Sequence, residues 1–379
     1  MIHFDQGRIR GFGVYAATLG MISGLALPPS AARAADESIP QLQAAAEKGL
    51  VPQQIELAAA YFAGEGVPQD AGLAAHWYEK AAQSGDAEAE NEIGFLYQTG
   101  TGVAIDLPRA FHWYQLSSAA GYVKAKVNLG VMYFWGIGVN KNEEFAAQLF
   151  REAFEKGDGT AASYLGDMSY FGIGIKQDKE AAERWYANGT KLHDPVAAYD
   201  LGSLFSNEPG HVHDLSRAAG FFRRSASDGY VPAMHSLGLI LVNHPELARS
   251  AEEARTVLQA ASQAGSWRST VLIGVLARDG RGEPADNETA YYDFQLALLQ
   301  GGDAARKLLA NDIDVLSRKL TAERSSALTA NAGDWFRQHP TLLAFVGKNG
   351  ESNKRFPTLA RAPVDSDLHA GRLVLLPPG

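Results

Sequence analysis

Residues 86–121 read DAEAENEIGFLYQTGTGVAIDLPRAFHWYQLSSAAG, and this stretch decides the fold. Ala89, Ile93, Gly94, Leu96 and Tyr97 fall at i, i+4, i+5, i+7 and i+8, one stripe of a helix about three turns long. Ala110, Trp113, Tyr114 and Ser117 mark a single face of a second helix. Between them Gly100-Thr101-Gly102 supplies a turn in which glycine takes positive φ without strain. The whole pattern recurs every 36 residues. Alanine stands at 74, 110, 146, 182, 218, 254 and 290, and glycine at 94, 130, 166, 202, 238 and 274. A fixed period of this length means one helical hairpin copied and stacked, so the expected fold is all-α, a right-handed superhelical α-solenoid of stacked helix-turn-helix repeats.

Further rows repeat with the same step. Asp70, Asp106, Asn142, Asp178, Asp214, Ser250 and Asp286 precede each second helix, and all are residue types that cap a helix N-terminus. Ser250 with Glu253 spells a capping box. The mid-helix glycines cost about 1 kcal/mol each relative to alanine, which makes sense where a neighbouring helix comes very close. The bulky counterpart is the pair on the second helix: Trp77/Tyr78, Trp113/Tyr114, Trp185/Tyr186 and Phe221/Phe222, with Leu149/Phe150 and Val257/Leu258 as aliphatic-containing versions. These side chains are expected in the core, and Trp113→Ala to cost about 3–5 kcal/mol.

Outside the repeats the composition shifts. Arg8 and Arg10, a short apolar run from Gly11 to Leu27, and Ala32-Arg33-Ala34 read as a signal peptide over 1–34, cut after Ala34. Residues 35–52 form an N-terminal helical half-repeat (Leu42, Ala45, Ala46, Gly49), 53–301 hold seven 36-residue repeats, and 302–338 are capping helices. The last helix starts near 320–324 and carries Ala327, Ala330 and Trp335. Residues 339–379 contain scattered prolines and basic side chains without helical period and read as a disordered tail. After signal cleavage no segment is long and apolar enough to span a bilayer. The localisation expected is periplasmic or secreted.

With 34 basic and 43 acidic residues the net charge is −9, which disfavours nucleic acid as a partner. There is no cysteine, so disulfides, thiolate metal sites and cysteine nucleophiles are excluded.

The pattern A-x-x-x-L-G-x-x-Y-x-x-G-x-G-V-x-x-D-x-x-x-A-x-x-W-Y-x-x-A-A-x-x-G, nearly complete at 89–121 and 161–185, resembles the Sel1-like repeat family of tetratricopeptide-like solenoids. The resemblance covers about 38–301. Two linkers depart from it: 207–213 lacks the first glycine of the turn and 243–249 lacks both. It implies a non-enzymatic scaffold or adaptor, with the first helix of each pair lining a concave groove. Relatives serve in signalling, exopolysaccharide secretion and host interaction. Cysteine-rich members linked to β-lactam hydrolysis carry a disulfide per repeat, which this chain cannot form.

Candidate groove residues are Asn91, Glu92, Gln98, Lys124, Asn128, Phe134, Trp135, Tyr170 and Phe171. The aromatic pairs either anchor a peptide or sugar, or pack beneath the glycine turn. The expected partner is a protein or peptide of the cell envelope. A polysaccharide or peptidoglycan ligand is the alternative, and a β-lactamase-like hydrolase a more distant one. The G-x-G turns follow helices rather than strands and so do not read as phosphate cradles. His211 and His213 beside Asp214 are a pair of loop imidazoles without a third ligand placed by the sequence, and no cofactor or metal is expected. No nucleophile–base set announces itself, so no catalytic residue is assigned.

Overall fold

The computed structural model describes residues 39–207, 214–250 and 252–339. Among these are sixteen α-helices and no strand. Helix α1 (Ile39–Glu47) precedes seven hairpins. They pair α2 (Val51–Ala63) with α3 (Ala71–Gln83), α4 (Ala87–Thr99) with α5 (Leu107–Ala119), and α6 (Val123–Trp135) with α7 (Glu143–Glu155). Then come α8 (Gly159–Phe171) with α9 (Lys179–Lys191), α10 (Pro195–Asn207) with α11 (Leu215–Ser227), α12 (Val231–Asn243) with α13 (Glu253–Gln263), and α14 (Trp267–Asp279) with α15 (Asn287–Ser317). Helix α16 (Ala322–Gln338) closes the series. The chain forms two compact units, divided between Ala197 and Ala198 within α10. The signal segment, the His211/His213 pair and the tail from 340 lie outside the described residues. Among the described residues no helix is long and apolar enough to cross a membrane.

Each hairpin closes small against large. A Cβ placed on Gly166 would sit 2.4 Å from the Tyr186 ring, so only glycine lets α8 and α9 approach this far. The same contact joins Gly94 to Tyr114, Gly130 to Phe150, Gly202 to Phe222, Gly238 to Leu258 and Gly274 to Phe294. The expectation that both members of each bulky pair are core holds for Trp77/Tyr78 and Leu149/Phe150 and needs correction for the others. The second member is fully buried throughout (Tyr114, Phe150, Tyr186, Phe222, Leu258), whereas Trp113, Trp185 and Phe221 are only half-buried. Consecutive helical residues point about 100° apart, so one ring can face the glycine and its neighbour cannot. The deep truncation in this repeat is therefore at Tyr114, and Trp113→Ala costs less than a core deletion.

Caps explain the sharp start of the second helices. The side chain of Asp106 accepts from the Arg109 amide, Asn142 from Phe145, Asp178 from Ala181 and Asp214 from Arg217; Asp70 and Asp286 accept from two amides each. Ser250 does not follow. Helix α13 begins later, with Glu252 at the cap position and no side-chain cap, and the capping box does not form. Glu253 instead pairs with Arg223 (2.6 and 3.1 Å) and accepts from the Arg249 amide. Arg223 also donates to the Leu247 carbonyl (2.6 Å), fixing a short 3-10 turn, Pro245–Leu247, where other repeats have glycines.

The G-x-G turns divide their labour. The first glycine is the left-handed C-cap of the first helix, as at Gly100 (φ 72°). The second permits docking between repeats: a Cβ on Gly102 would fall 2.0 Å from the Ala71 carbonyl oxygen of the preceding hairpin. At the far end α15 runs through Gly301, which abuts the Trp267 ring, and the helix breaks at Gly302 (φ 55°, ψ −133°). The last helix turns one face inward. Leu328, Ala332 and Phe336 are buried, Ala327 and Ala330 are exposed, and Trp335 is half-buried and stacked on His339.

Candidate functional site

In the unit ending at Ala197 the first helices α4, α6 and α8 repeat one register every 36 residues. Residues at i, i+4, i+7 and i+11 share a helix face. On α4 these are Glu88, Glu92, Phe95 and Thr99; on α6, Lys124, Asn128, Val131 and Trp135; on α8, Thr160, Tyr164, Asp167 and Phe171. All but Asp167 are half-buried or exposed. Neighbouring helices meet through this stripe and its flank: the Asn128 amide donates to Asn91 Oδ1 (2.9 Å), and the Asn91 amide donates to Glu92 Oε1 (3.0 Å).

The stripe has a charged pole and an aromatic pole. Near the helix N-termini stand Glu88 and Glu92, and the Lys124 cation acts electrostatically on both Glu92 and Asp158. Desolvation pushes the Glu92 carboxyl up to about 7, and Glu88 adds to the rise; the Asn91 hydrogen bond and Lys124 oppose it. Burial likewise raises Asp158, against hydrogen bonds from the Ala161 and Thr160 amides. At the C-terminal ends the equivalent positions hold Thr99, Trp135 and Phe171, the last 43% exposed. Eleven residues separate the poles on each helix, about 16 Å at 1.5 Å per residue.

The sequence-derived set divides on this geometry. Glu92, Lys124, Asn128, Trp135 and Phe171 lie together on the stripe. Phe134 is 2% exposed and Asn91 is buried, so neither presents a surface, and for Phe134 packing under the turn is what the structure shows. Gln98 accepts from the buried Tyr114 hydroxyl (2.7 Å), and Tyr170 lies against Lys179 (5.1 Å) with its carbonyl held by Gln177. The reason is again the 100° step: adjacent aromatics cannot both face one groove, and each ring pair is edge-to-face instead (4.9 Å for both Phe134–Trp135 and Tyr170–Phe171). Glu88, Thr99 and Tyr164 belong to the stripe, and sequence reasoning missed them. Tyr164 stacks on Phe150 (4.6 Å). Counting back from Trp135 by seven and eleven residues, and between repeats by 36, reaches all three.

A second polar group lies deeper. Ser163 donates to Asp194 (2.7 Å), and the Tyr186 hydroxyl donates to Asp167 (2.6 Å), all within the core. Burial raises Asp194 to about 6 even against the Ser163 hydrogen bond. These pairs join helices and offer no opening for a substrate. Among the described residues no three His, Asp or Glu side chains converge as a metal site would require.

The family comparison follows this architecture. The Sel1 repeat model matches residues 54–86, 87–122, 123–158, 159–192 and 195–230. A Sel1 repeat protein from Oxalobacter formigenes is 26% identical, with 66% of this chain and 97% of that one covered, at a TM-score of 0.53. A protective antigen of uropathogenic Escherichia coli displaying an SLR fold is 21% identical over 81% of this chain and 89% of its own, at 0.29. An immunity protein from Pseudomonas aeruginosa is 19% identical over 56% and 81%, at 0.43. No curated protein matches the sequence. Hairpin length, the close packing at the mid-helix glycines and the matched repeats agree: residues 54–230 of this chain carry five Sel1 repeats.

Proposed function

We propose that this chain is an exported scaffold that binds a protein or peptide partner along the first-helix stripe of the unit ending at Ala197. Sel1 repeat proteins are generally protein-interaction scaffolds. The observation that carries the reading is the exposed aromatic pole, Trp135 and Phe171 at one register position of successive hairpins. Large rings held half in solvent on a rigid helix face anchor partners at low entropic cost. Export rests on the 1–34 segment, and an envelope or exopolysaccharide complex is the setting that segment suggests. The mature chain is then expected to begin at Ala35, which the mass of the protein from a periplasmic fraction checks.

The binding test is a photo-crosslinker at Phe171, applied to envelope extract. One dominant adduct is expected, and Trp135→Ala in the same molecule should abolish it. An adduct unaffected by Trp135→Ala removes the site, and a carbohydrate adduct in place of a protein favours a polysaccharide partner.

A further inference from the structure

Building on the scaffold reading, the geometry points to the kind of segment the stripe accepts. We infer that its occupant is an extended peptide with a lysine or arginine side chain at one end and an aromatic or large aliphatic side chain about seven residues away. The cation goes to the Glu88/Glu92 pole and the apolar group to Trp135 and Phe171. Three observations carry this. The acidic pole holds Glu88, Glu92 and Asp158 beside the cation Lys124, within a chain of net charge −9, so it attracts positive charge. The aromatic pole offers ring faces and edges to an apolar or cationic side chain. The acids stand on α4 and the rings on α6 and α8, so about 16 Å along the helices combines with one or two steps of about 10 Å across them, about 19–26 Å in all, which matches about seven residues of extended chain at about 3.3 Å each. An incoming cation also favours the ionised form of Glu92, so binding releases a proton and tightens as pH rises through neutrality.

The test uses the full chain and fluorescein-labelled Gly/Ser peptides in which one Lys and one Trp are separated by roughly two, seven or twelve positions, with a Glu-for-Lys control. Fluorescence anisotropy should show the seven-residue spacing binding about ten-fold tighter than either alternative and than its Glu control, with the charge preference shrinking in high salt. Glu88→Lys, an exposed position, should reverse the preference for Lys over Glu, and Glu88→Gln should weaken it. Trp135→Ala with Phe171→Ala should weaken all Trp peptides alike. Indifference to charge sign or to spacing, or no binding up to about millimolar peptide, overturns the inference. If the crosslinking result stands while the peptides show no preference, only this inference falls. If the crosslink to the envelope partner also survives Trp135→Ala, the scaffold site itself is wrong.

Discussion

The middle of the register that lies half-open in the unit ending at Ala197 is closed in the unit beginning at Ala198, while its ends stay accessible at Pro232, Asn243, Arg268 and Asp279. Glu92, Phe95, Asn128, Val131 and Tyr164 are half-buried and Asp167 is buried, whereas the counterparts Asp200, Ser203, Ser236, Leu272 and Val275 are buried and Leu239 is half-buried. In the second unit α12 and α14 pack directly on one another, and His235 Nδ1 meets Ser269 Oγ at 3.0 Å between them. Side-chain size accounts for the difference: serines at 203 and 236 let first helices close up, while Asn128, Tyr164 and Trp135 stand in the gap of the first. The lesson is that a repeat of constant length can present a working face in one stretch and spend the same face on packing in another.

Val131 and Val275 occupy one repeat position and allow the sharpest break of this contrast. Val275→Asp should cost about 3–5 kcal/mol by placing an unpaired carboxylate in the core, and Val131→Asp under about 1 kcal/mol. Urea midpoints of the two variants decide it, and equal losses would mean that the first-unit stripe is no more open than the second. The turns give a parallel test. Gly102 and Gly282 both have positive φ (72° and 84°), yet a Cβ on Gly282 would meet nothing within 4 Å, while one on Gly102 would run into the preceding hairpin. Gly282→Ala should therefore cost about 1 kcal/mol, the left-handed penalty alone, and Gly102→Ala about 3 kcal/mol or more. Comparable thermal shifts would refute docking through the second glycine.

How much of this was legible in the sequence follows from the same physics. The period, the hairpins and six of the seven caps could be read directly, because each is set by residues near one another in the chain. Ser250 misled because its partner Glu253 is claimed by Arg223, 30 positions away, and no local rule anticipates that. Phe134 and Tyr170 misled because residues adjacent in a helical sequence do not share a face. The open and closed stripes were not visible at all. They depend on how nearly successive helices approach, which hydrophobic periodicity does not encode.

The two units should also answer acid differently. Glu92 and Asp194 fold with carboxyls raised to about 7 and about 6, so the folded first unit takes up protons that the unfolded chain does not. Its stability rises as pH falls from about 7 toward the ordinary carboxylate range. In the second unit burial holds His235 near 4, below the ordinary 6.5, with Arg268 adding to the effect. That contribution is complete above 6.5 and is lost as pH drops toward 4, by about 2 kcal/mol at pH 5. Asp293, raised to about 7 by burial and Asp286, works against it in the same unit. Segment-resolved hydrogen exchange, corrected for intrinsic rates, should show α4–α8 gaining protection on α12–α14 between pH 7.5 and 5. His235→Gln should shrink that gap, and an unchanged gap would remove His235 as its source.

The smallest stability effect bears most on function. Trp135→Ala and Phe171→Ala should each cost only about 1 kcal/mol, since both rings are partly in solvent and lean on Phe134 and Tyr170 from the outside. The buried Tyr114→Ala, by contrast, should cost about 3–5 kcal/mol. A ring that contributes so little to the fold is there for what it touches. If thermal melting instead places Trp135→Ala beside Tyr114→Ala, the aromatic pole is packing after all, and the open stripe loses the anchor on which a partner would dock.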